Sequence, residues 1–430
     1  MLLPGVPQLR GEQAVHEDDA PRREWFRRQA AQPFRPTTAL FGTTRVTDSS
    51  TTTPAATSAG APGRPVLATA GPEVRIETRG AALVISFDRP RALNALTTEM
   101  RATLAAELPR LARDPMLYCL VLRSDNPKAF SSGGDVRELV AWGKTEPARA
   151  RRAFADEYRL NWTLECLTKP TVSLIDGIVM GSGVGVTLFG THRVAGENYR
   201  FAMPETAIGL FPDVGAAYAF ARMPDEIGMY LGLTGRTIGR ADAFHLGLAT
   251  HCIAAAEHPA IVAALSGAYP VDQILDSRHQ DPGPSDLLAR RDIIRHCFSA
   301  PSVDGILDRL AELEARSAGL ADIAWAAAVR SDLLARSPTS LALTFRHIRG
   351  AASLDLDAVL EIDYRLACRC LEGHDFAEGV RAALIDKDGK PQWRPATVGE
   401  VSTAEIDACF APLTDEELNL TPRDQFQLIR

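Results

Sequence analysis

The chain has 430 residues, 46% of them hydrophobic and 23% charged, with 32 glycines and 28 prolines; that composition excludes a wholly disordered chain, a collagen and a coiled-coil rod. Its 47 basic and 54 acidic residues are well mixed, leave a formal charge of −7 and form no Lys/Arg block, which argues against nucleic acid as the main partner. Seven cysteines without a CxxC imply reduced thiols in a cytosol-like compartment, and nine histidines without an HxxxH pair give no reason to expect a metal.

Residues 1–70 hold 8 of the prolines and a Ser/Thr/Ala/Gly/Pro tract from Asp48 to Pro65. Such a segment buries too little apolar surface to offset its ordering entropy, so it reads as a disordered extension, with at most a short helix near Glu24–Ala31. No apolar core follows a basic start, so it is not a secretory signal. Arg recurs as in a mitochondrial transit peptide, but Glu12, Glu17, Asp18 and Asp19 oppose that reading. The expected compartment is therefore the cytoplasm, with the mitochondrial matrix as the alternative.

Periodic structure begins near Glu73. Leu83–Phe87 reads as a strand ended by Asp88-Arg89-Pro90. Leu96, Met100, Leu104, Leu108 and Leu111 then mark a helix capped by Thr97, which Pro109 should kink or end early. Tyr118–Arg123 is the next strand. After Ser131-Ser132-Gly133-Gly134-Asp135 comes a helix, and another covers 146–168. Thr171–Gly190 carries a single charge, Asp176, over twenty residues. Its five glycines make it a buried strand, a turn and a helix rather than a membrane span. Arg193–Ala195 and Tyr199–Met203 read as short strands. Strands alternating with helices define an α/β class. Helices then dominate: Asp286–Phe298, Val303–Ser317, Ile323–Ser337, Ser340–Ile348 and Leu356–Glu372. The implied organisation is an extension (1–70), an α/β core (73–265), a mainly helical region (266–400) and a tail (401–430).

Three segments carry candidate chemistry. Gly181-Ser182-Gly183-Val184-Gly185 follows a strand and opens a helix, but lacks the third glycine of a dinucleotide fingerprint. Ser131–Asp135 repeats the arrangement at another strand–helix junction. Both bare backbone N–H groups, and two such turns together suit a carbonyl oxygen that becomes negative; the plainer reading is two tight turns. The third segment, Met203–Gly215, places Glu205 and Asp213 eight residues apart among apolar residues. Burial would raise the pKa of Glu205 and suit it to proton transfer, yet Glu205 also reads as a surface loop acid and Asp213 as a helix N-cap. Glu157 lies on the 146–168 helix, where a lone Glu is usually solvated.

Together these residues resemble the crotonase superfamily, which acts on acyl-CoA thioesters. Asp88–Leu96 (DRPRALNAL) resembles its CoA-contacting motif, Lys128–Asp135 its first oxyanion loop and Gly177–Gly183 its second. Phe201–Gly215 (FAMPETAIGLFPDVG) and Glu372–Pro395 resemble the branch that hydrolyses the thioester, over about residues 75–400. The resemblance implies a spiral of ββα units followed by a helical C-terminal region. It implies backbone oxyanion donors at Gly134 and Ser182, and Glu205 as catalytic base or nucleophile. Asp213 would hold the substrate hydroxyl or the attacking water. Substrate contacts would come from Glu157, Arg89, Ala92, Leu93, Ala129, Ser131 and Asp135. The implied substrate is 3-hydroxyisobutyryl-CoA, from valine breakdown, with CoA as part of the substrate and no further cofactor. Members often form trimers or hexamers, yet the helical tail here could cap that surface, so the resemblance leaves a homo-oligomer open; it implies no membrane partner. One departure is Ser182, where members commonly have Gly. Hydratases of the superfamily carry a second glutamate where this chain has Gly185, and usually Gly where it has Asp213. A hydratase or isomerase, or a non-catalytic CoA-binding member, are the alternatives.

Overall fold

The computed structural model describes residues 73–315, 319–414 and 416–428; the extension called at 1–70 lies outside the described residues. Two sheets form among these. The larger uses β1 (Val74–Arg79), β2 (Ala82–Phe87) and β3 (Cys119–Ser124). The smaller begins with β4 (Ala129–Ser131). Thereafter the chain alternates: β5 (Thr171–Ile175), β7 (His192–Ala195) and β9 (His251–Cys252) join the large sheet, while β6 (Ile178–Met180) and β8 (Arg200–Ala202) join the small one. The orders are β1-β2-β3-β5-β7-β9 and β4-β6-β8. Only β1–β2 is antiparallel; every other pair is parallel. Each pass lays one strand in each sheet, and this is the spiral of ββα units. The sequence reading has no β1; its half-exposed face (burial pattern alternating at Val74, Arg75 and Ile76) lacks the continuous apolar run that marks β2.

Helix α1 (Thr98–Arg113) starts at Thr97, whose hydroxyl accepts the Met100 amide at 3.1 Å. It runs through Pro109 instead of ending there, because Pro109 is exposed and the carbonyl it leaves without a partner can be hydrated. α2 (Val136–Thr145) and α3 (Pro147–Cys166) follow, then the single turn α4 (Ser182–Gly185), shorter than the helix expected up to Gly190. Next come α5 (Ala216–Phe220), α6 (Ile227–Thr234), α7 (Arg240–His245), α8 (His258–Leu265) and α9 (Val271–Asp276). One core packs Val84, Val121, Val172, Leu174 and Val194 of the large sheet against Ile261, Val262 and Leu265 of α8 and Ile274 and Leu275 of α9. Each such aliphatic side chain contributes roughly 1.5–3 kcal/mol on burial.

Helices make up most of the rest. The expected Asp286–Phe298 helix is two, α10 (Asp286–Ala289) and α11 (Arg291–Phe298), broken at Arg290. Asp242 pins the first of them by accepting the Ser285 hydroxyl at 2.6 Å and the Leu287 amide at 3.0 Å. α12 (Val303–Ala315), α13 (Leu320–Leu334), α14 (Pro338–Ala351), α15 (Leu356–Glu372), α16 (His374–Val380), α17 (Thr403–Phe410) and α18 (Arg423–Leu428) complete the chain. No helix among the described residues is long and apolar enough to cross a membrane; Thr171–Gly190 is β5, β6 and α4.

Candidate active site

The first loop is strapped to the segment before α1. Asn94 is buried and left-handed (φ 55°). Its Nδ2 donates to Ser124 Oγ at 2.7 Å and to the Ala129 and Phe130 carbonyls at 3.3 and 3.1 Å, while its Oδ1 accepts the Arg89 amide at 2.8 Å. The Ser132 amide donates to the Leu93 carbonyl and the Leu96 amide to Gly133, at 3.0 and 2.7 Å. Ser132 Oγ donates to the Ala92 carbonyl at 3.2 Å. The Arg89 guanidinium pairs with Asp135 at 3.0 Å and with Glu73 at 3.0 Å. Ala129 and Ser131 lie fully buried in β4. Ala92, Leu93, Arg89 and Asp135 thus brace the loop, and Gly134 stands at its tip with an N–H that has no acceptor among the described residues.

The second loop meets the first. Gly181 adopts φ 45°, ψ −123°, a backbone open to glycine. A Cβ there would lie 3.3 Å from Gly133 Cα and 3.9 Å from the Gly134 nitrogen. A Cβ on Gly183 would lie 2.6 Å from Ser131 Cβ, and one on Gly134 would lie 2.7 Å from Ser182 Oγ. Ser182 opens α4 with a negative φ, so a serine is accommodated where a glycine is common, and its amide also has no acceptor among the described residues. Two unsatisfied donors therefore sit on touching loops.

Three acids close the site. Glu205 opens a short 3₁₀ turn, Glu205–Ile208, and is 6% exposed, so it is not the surface loop acid of the alternative reading. Its Oε1 lies 3.0 Å from the position of a Cβ on Gly181, and its Oε2 has no partner among the described residues. Burial first, and then the Glu157 charge, push its carboxyl up to about 8. Asp213 is 5% exposed. Its backbone carbonyl accepts the Ala216 amide at 2.9 Å, while its side chain accepts the Tyr158 hydroxyl at 2.8 Å; the N-cap reading fails because the carboxylate turns inward. Burial and the charges of Glu157, Glu205 and Asp363 raise its pKa well above the usual range, against a lowering by Tyr158. Glu157 is buried too, not solvated, with Arg101 Nη1 3.5 Å from Oε2 and, among the described residues, no partner at Oε1. Arg101 also donates to the Leu96 carbonyl at 3.1 Å, beside Gly134.

The structure therefore gathers Gly134, Ser182, Glu205, Asp213 and Glu157 in one place, with Arg89, Ala92, Leu93, Ala129, Ser131 and Asp135 supporting it. Tyr158, Arg101, Asn161, His347 and Asp363 were not read as site residues from sequence. Each except Arg101 occupies a position in an apolar helical stripe, and that is the signal they offered. Asn161 is fully buried and neither polar atom of its side-chain amide has a partner among the described residues.

This arrangement of touching loops and buried acids on a ββα spiral defines a class. The sequence pattern of the enoyl-CoA hydratase/isomerase family matches residues 82–410, and the chain belongs to that family, the acyl-CoA-binding crotonase superfamily. Particular relatives narrow the likeness. The chain is 40% identical over 362 residues to the mitochondrial 3-hydroxyisobutyryl-CoA hydrolase of Danio rerio, covering 82% of this chain and 92% of that protein. Its human counterpart is 37% identical over 359 residues, covering 81% and 91%. Among solved structures, a carnitinyl-CoA dehydratase from Mycobacterium thermoresistibile superposes with a TM-score of 0.75 at 36% identity, covering 81% of this chain and 99% of that one. An enoyl-CoA hydratase from Rhodobacter sphaeroides 2.4.1 gives 0.74 at 35%, covering 81% and 100%.

Proposed function

We propose that this protein hydrolyses acyl-CoA thioesters, with 3-hydroxyisobutyryl-CoA as substrate and 3-hydroxyisobutyrate and CoA as products. The carrying observation is the buried Glu205 carboxyl set against Gly181, where the loops bearing the free Gly134 and Ser182 amides meet. The two amides take the thioester oxygen as it becomes negative. Glu205, its carboxyl raised to about 8 by burial, accepts a proton from water or, as the carboxylate, attacks the carbonyl carbon itself. Asp213, steadied by Tyr158, holds the substrate hydroxyl or the attacking water, and Glu157 offers a further contact. The 37–40% identity to named hydrolases supports the substrate. Seven free cysteines, six of them buried, fit a reducing, cytosol-like compartment.

Hydration or dehydration is the second reading, favoured by the names of the two solved structures. Against it stands Gly185, where a side chain would meet Val214 Cβ at 2.8 Å and Asn161 Nδ2 at 2.9 Å. No second carboxyl occupies that position. A thiol-release assay over a panel of acyl-CoAs, run beside an enoyl-CoA absorbance assay, separates the two. Free CoA from 3-hydroxyisobutyryl-CoA is the expected result. An absorbance change without thiol overturns the hydrolase reading.

A further inference from the structure

The segment that carries Asp213 is gripped from behind. Asp213 is followed by Val214 at φ 53° and Gly215 at φ 79°. Left-handed backbone suits glycine but is rare for a β-branched residue, and Val214 is fully buried as well. A conformation of that kind persists only where its surroundings enforce it. The enforcing contact is the Gly215 amide, which donates to Asp363 Oδ2 at 2.7 Å. The other carboxylate oxygen, Oδ1, is taken by His347 Nε2 at 2.6 Å. Asp363 of α15 is 0% exposed and His347 of α14 is 2% exposed. The His347 ring also stands edge-on to Phe211, two residues before Asp213, with centroids 5.9 Å apart. The two helices therefore hold the acid-bearing segment on both sides of Asp213. A buried Asp–His pair is a costly way to fill a core, and apolar side chains would fill it at least as well.

We propose that Asp363 and His347 are positioning residues for Asp213: together they lock the left-handed Val214–Gly215 turn that aims Asp213 into the acid cluster, and they set a negative charge behind it. This rests on the hydrolase reading, which gives Asp213 its part in the reaction. The titratable groups facing Asp213 are Tyr158 and Glu157 from α3, Glu205 from its own segment, and Asp363 and Cys370 from α15. Asp363 is among the charges that push the Asp213 carboxyl up.

The test begins with Asp363→Asn, which keeps the size, an oxygen for the Gly215 amide and a polar contact to His347, and removes the charge. A ¹³C-carboxyl NMR titration of the ligand-free protein should show the Asp213 midpoint falling towards the usual carboxylate range. Asp363→Ala frees the Gly215 amide as well, and kcat for thioester hydrolysis should fall at least tenfold with KM little changed. Adding Val214→Gly, which lets the turn form without enforcement, should recover part of that kcat. If Asp363→Ala does not fold, Asp363→Ala with Val214→Gly takes its place: folding and turnover that return with the glycine support the lock, and turnover that does not return overturns it. An unchanged Asp213 midpoint in Asp363→Asn overturns the charge that Asp363 sets behind Asp213, and a kcat loss in Asp363→Ala that Val214→Gly leaves untouched overturns the lock on the turn. A wild-type protein that releases no thiol overturns the reaction instead, while the NMR midpoint still reads the charge behind Asp213.

Discussion

The Tyr158 hydroxyl donates a 2.8 Å hydrogen bond to Asp213 Oδ2 across 55 residues of sequence, and both side chains are buried. The bond favours the charged carboxylate against the burial and neighbouring acids that oppose it. Tyr158→Phe should therefore push the Asp213 carboxyl higher still. A hydrogen bond to a charged group is worth about 1.5–3 kcal/mol, so kcat/KM in the thiol-release assay should fall roughly tenfold or more. Unaltered kcat/KM would mean that Asp213 needs no help from Tyr158.

Glu205 couples activity to stability with a definite sign. Its carboxyl is raised to about 8 in the folded chain, above its value of about 4.5 in the unfolded one. The folded state therefore binds the extra proton, and the contribution is fully present below pH about 4.5 and lost as pH climbs through about 8. Glu205→Gln removes this dependence. Urea unfolding should show wild type weakening from acid to mildly alkaline pH more steeply than the variant, while kcat drops ~10²–10⁴-fold. Near-normal turnover by the variant would take Glu205 out of the mechanism.

Which of these features the sequence discloses follows from how local their causes are. β2, α1, β5 and α15 follow from apolar periodicity and a cap, and α15 spans the expected Leu356–Glu372. The touching loops are visible as glycine-rich junctions after strands, because close backbone approach requires glycine at Gly181. What stays hidden is partnership. Nothing near Asp213 in sequence names Tyr158 or Asp363 as its neighbours, and nothing near Glu157 names Arg101 beyond a distant basic residue. A sharper reading was available, since Glu157, Asn161 and Asp363 sit in the apolar stripes of α3 and α15. A polar residue there must be paired or engaged. The break at Arg290 was illegible because Asp242, which pins α10, lies 45 residues from Leu287.

Asp213 bears on substrate choice. If it holds the 3-hydroxyl of the acyl chain, Asp213→Gly should cost more on 3-hydroxyacyl-CoA than on plain acyl-CoA of equal length. A site built to hydrogen-bond a hydroxyl discriminates strongly for it, since its polar groups are otherwise left unpaired. Equal losses on both substrates would assign Asp213 to the attacking water instead.

The Arg101–Glu157 pair is almost wholly withdrawn from solvent, with side chains 6% and 4% exposed. Removing one partner from a buried pair costs about 3–5 kcal/mol, chiefly because the other charge is stranded. Arg101→Met should lower the urea midpoint by a corresponding amount, and Glu157→Gln on that background should restore much of it. Additive losses in the double variant would mean that the two side chains do not interact.

Gly181 separates strain from site geometry. At φ 45° an alanine is strained, and its Cβ would stand 3.0 Å from Glu205 Oε1 and 3.3 Å from Gly133 Cα, tight against both the acid and the first loop. Gly389 is the control: its φ is 64°, yet nothing lies within 4 Å of its Cβ position. Gly389→Ala should lose about 1–2 kcal/mol of stability from its left-handed φ, and Gly181→Ala more, because φ 45° with ψ −123° lies outside the left-handed helical region. Only Gly181→Ala should also depress kcat, by at least tenfold, because the Glu205 carboxyl and the first loop at Gly133 must shift to admit the methyl group. Melting temperatures measured beside thiol-release rates make the comparison. If the two variants behave alike in turnover, the contact between Glu205 and the meeting point of the loops does not govern the reaction.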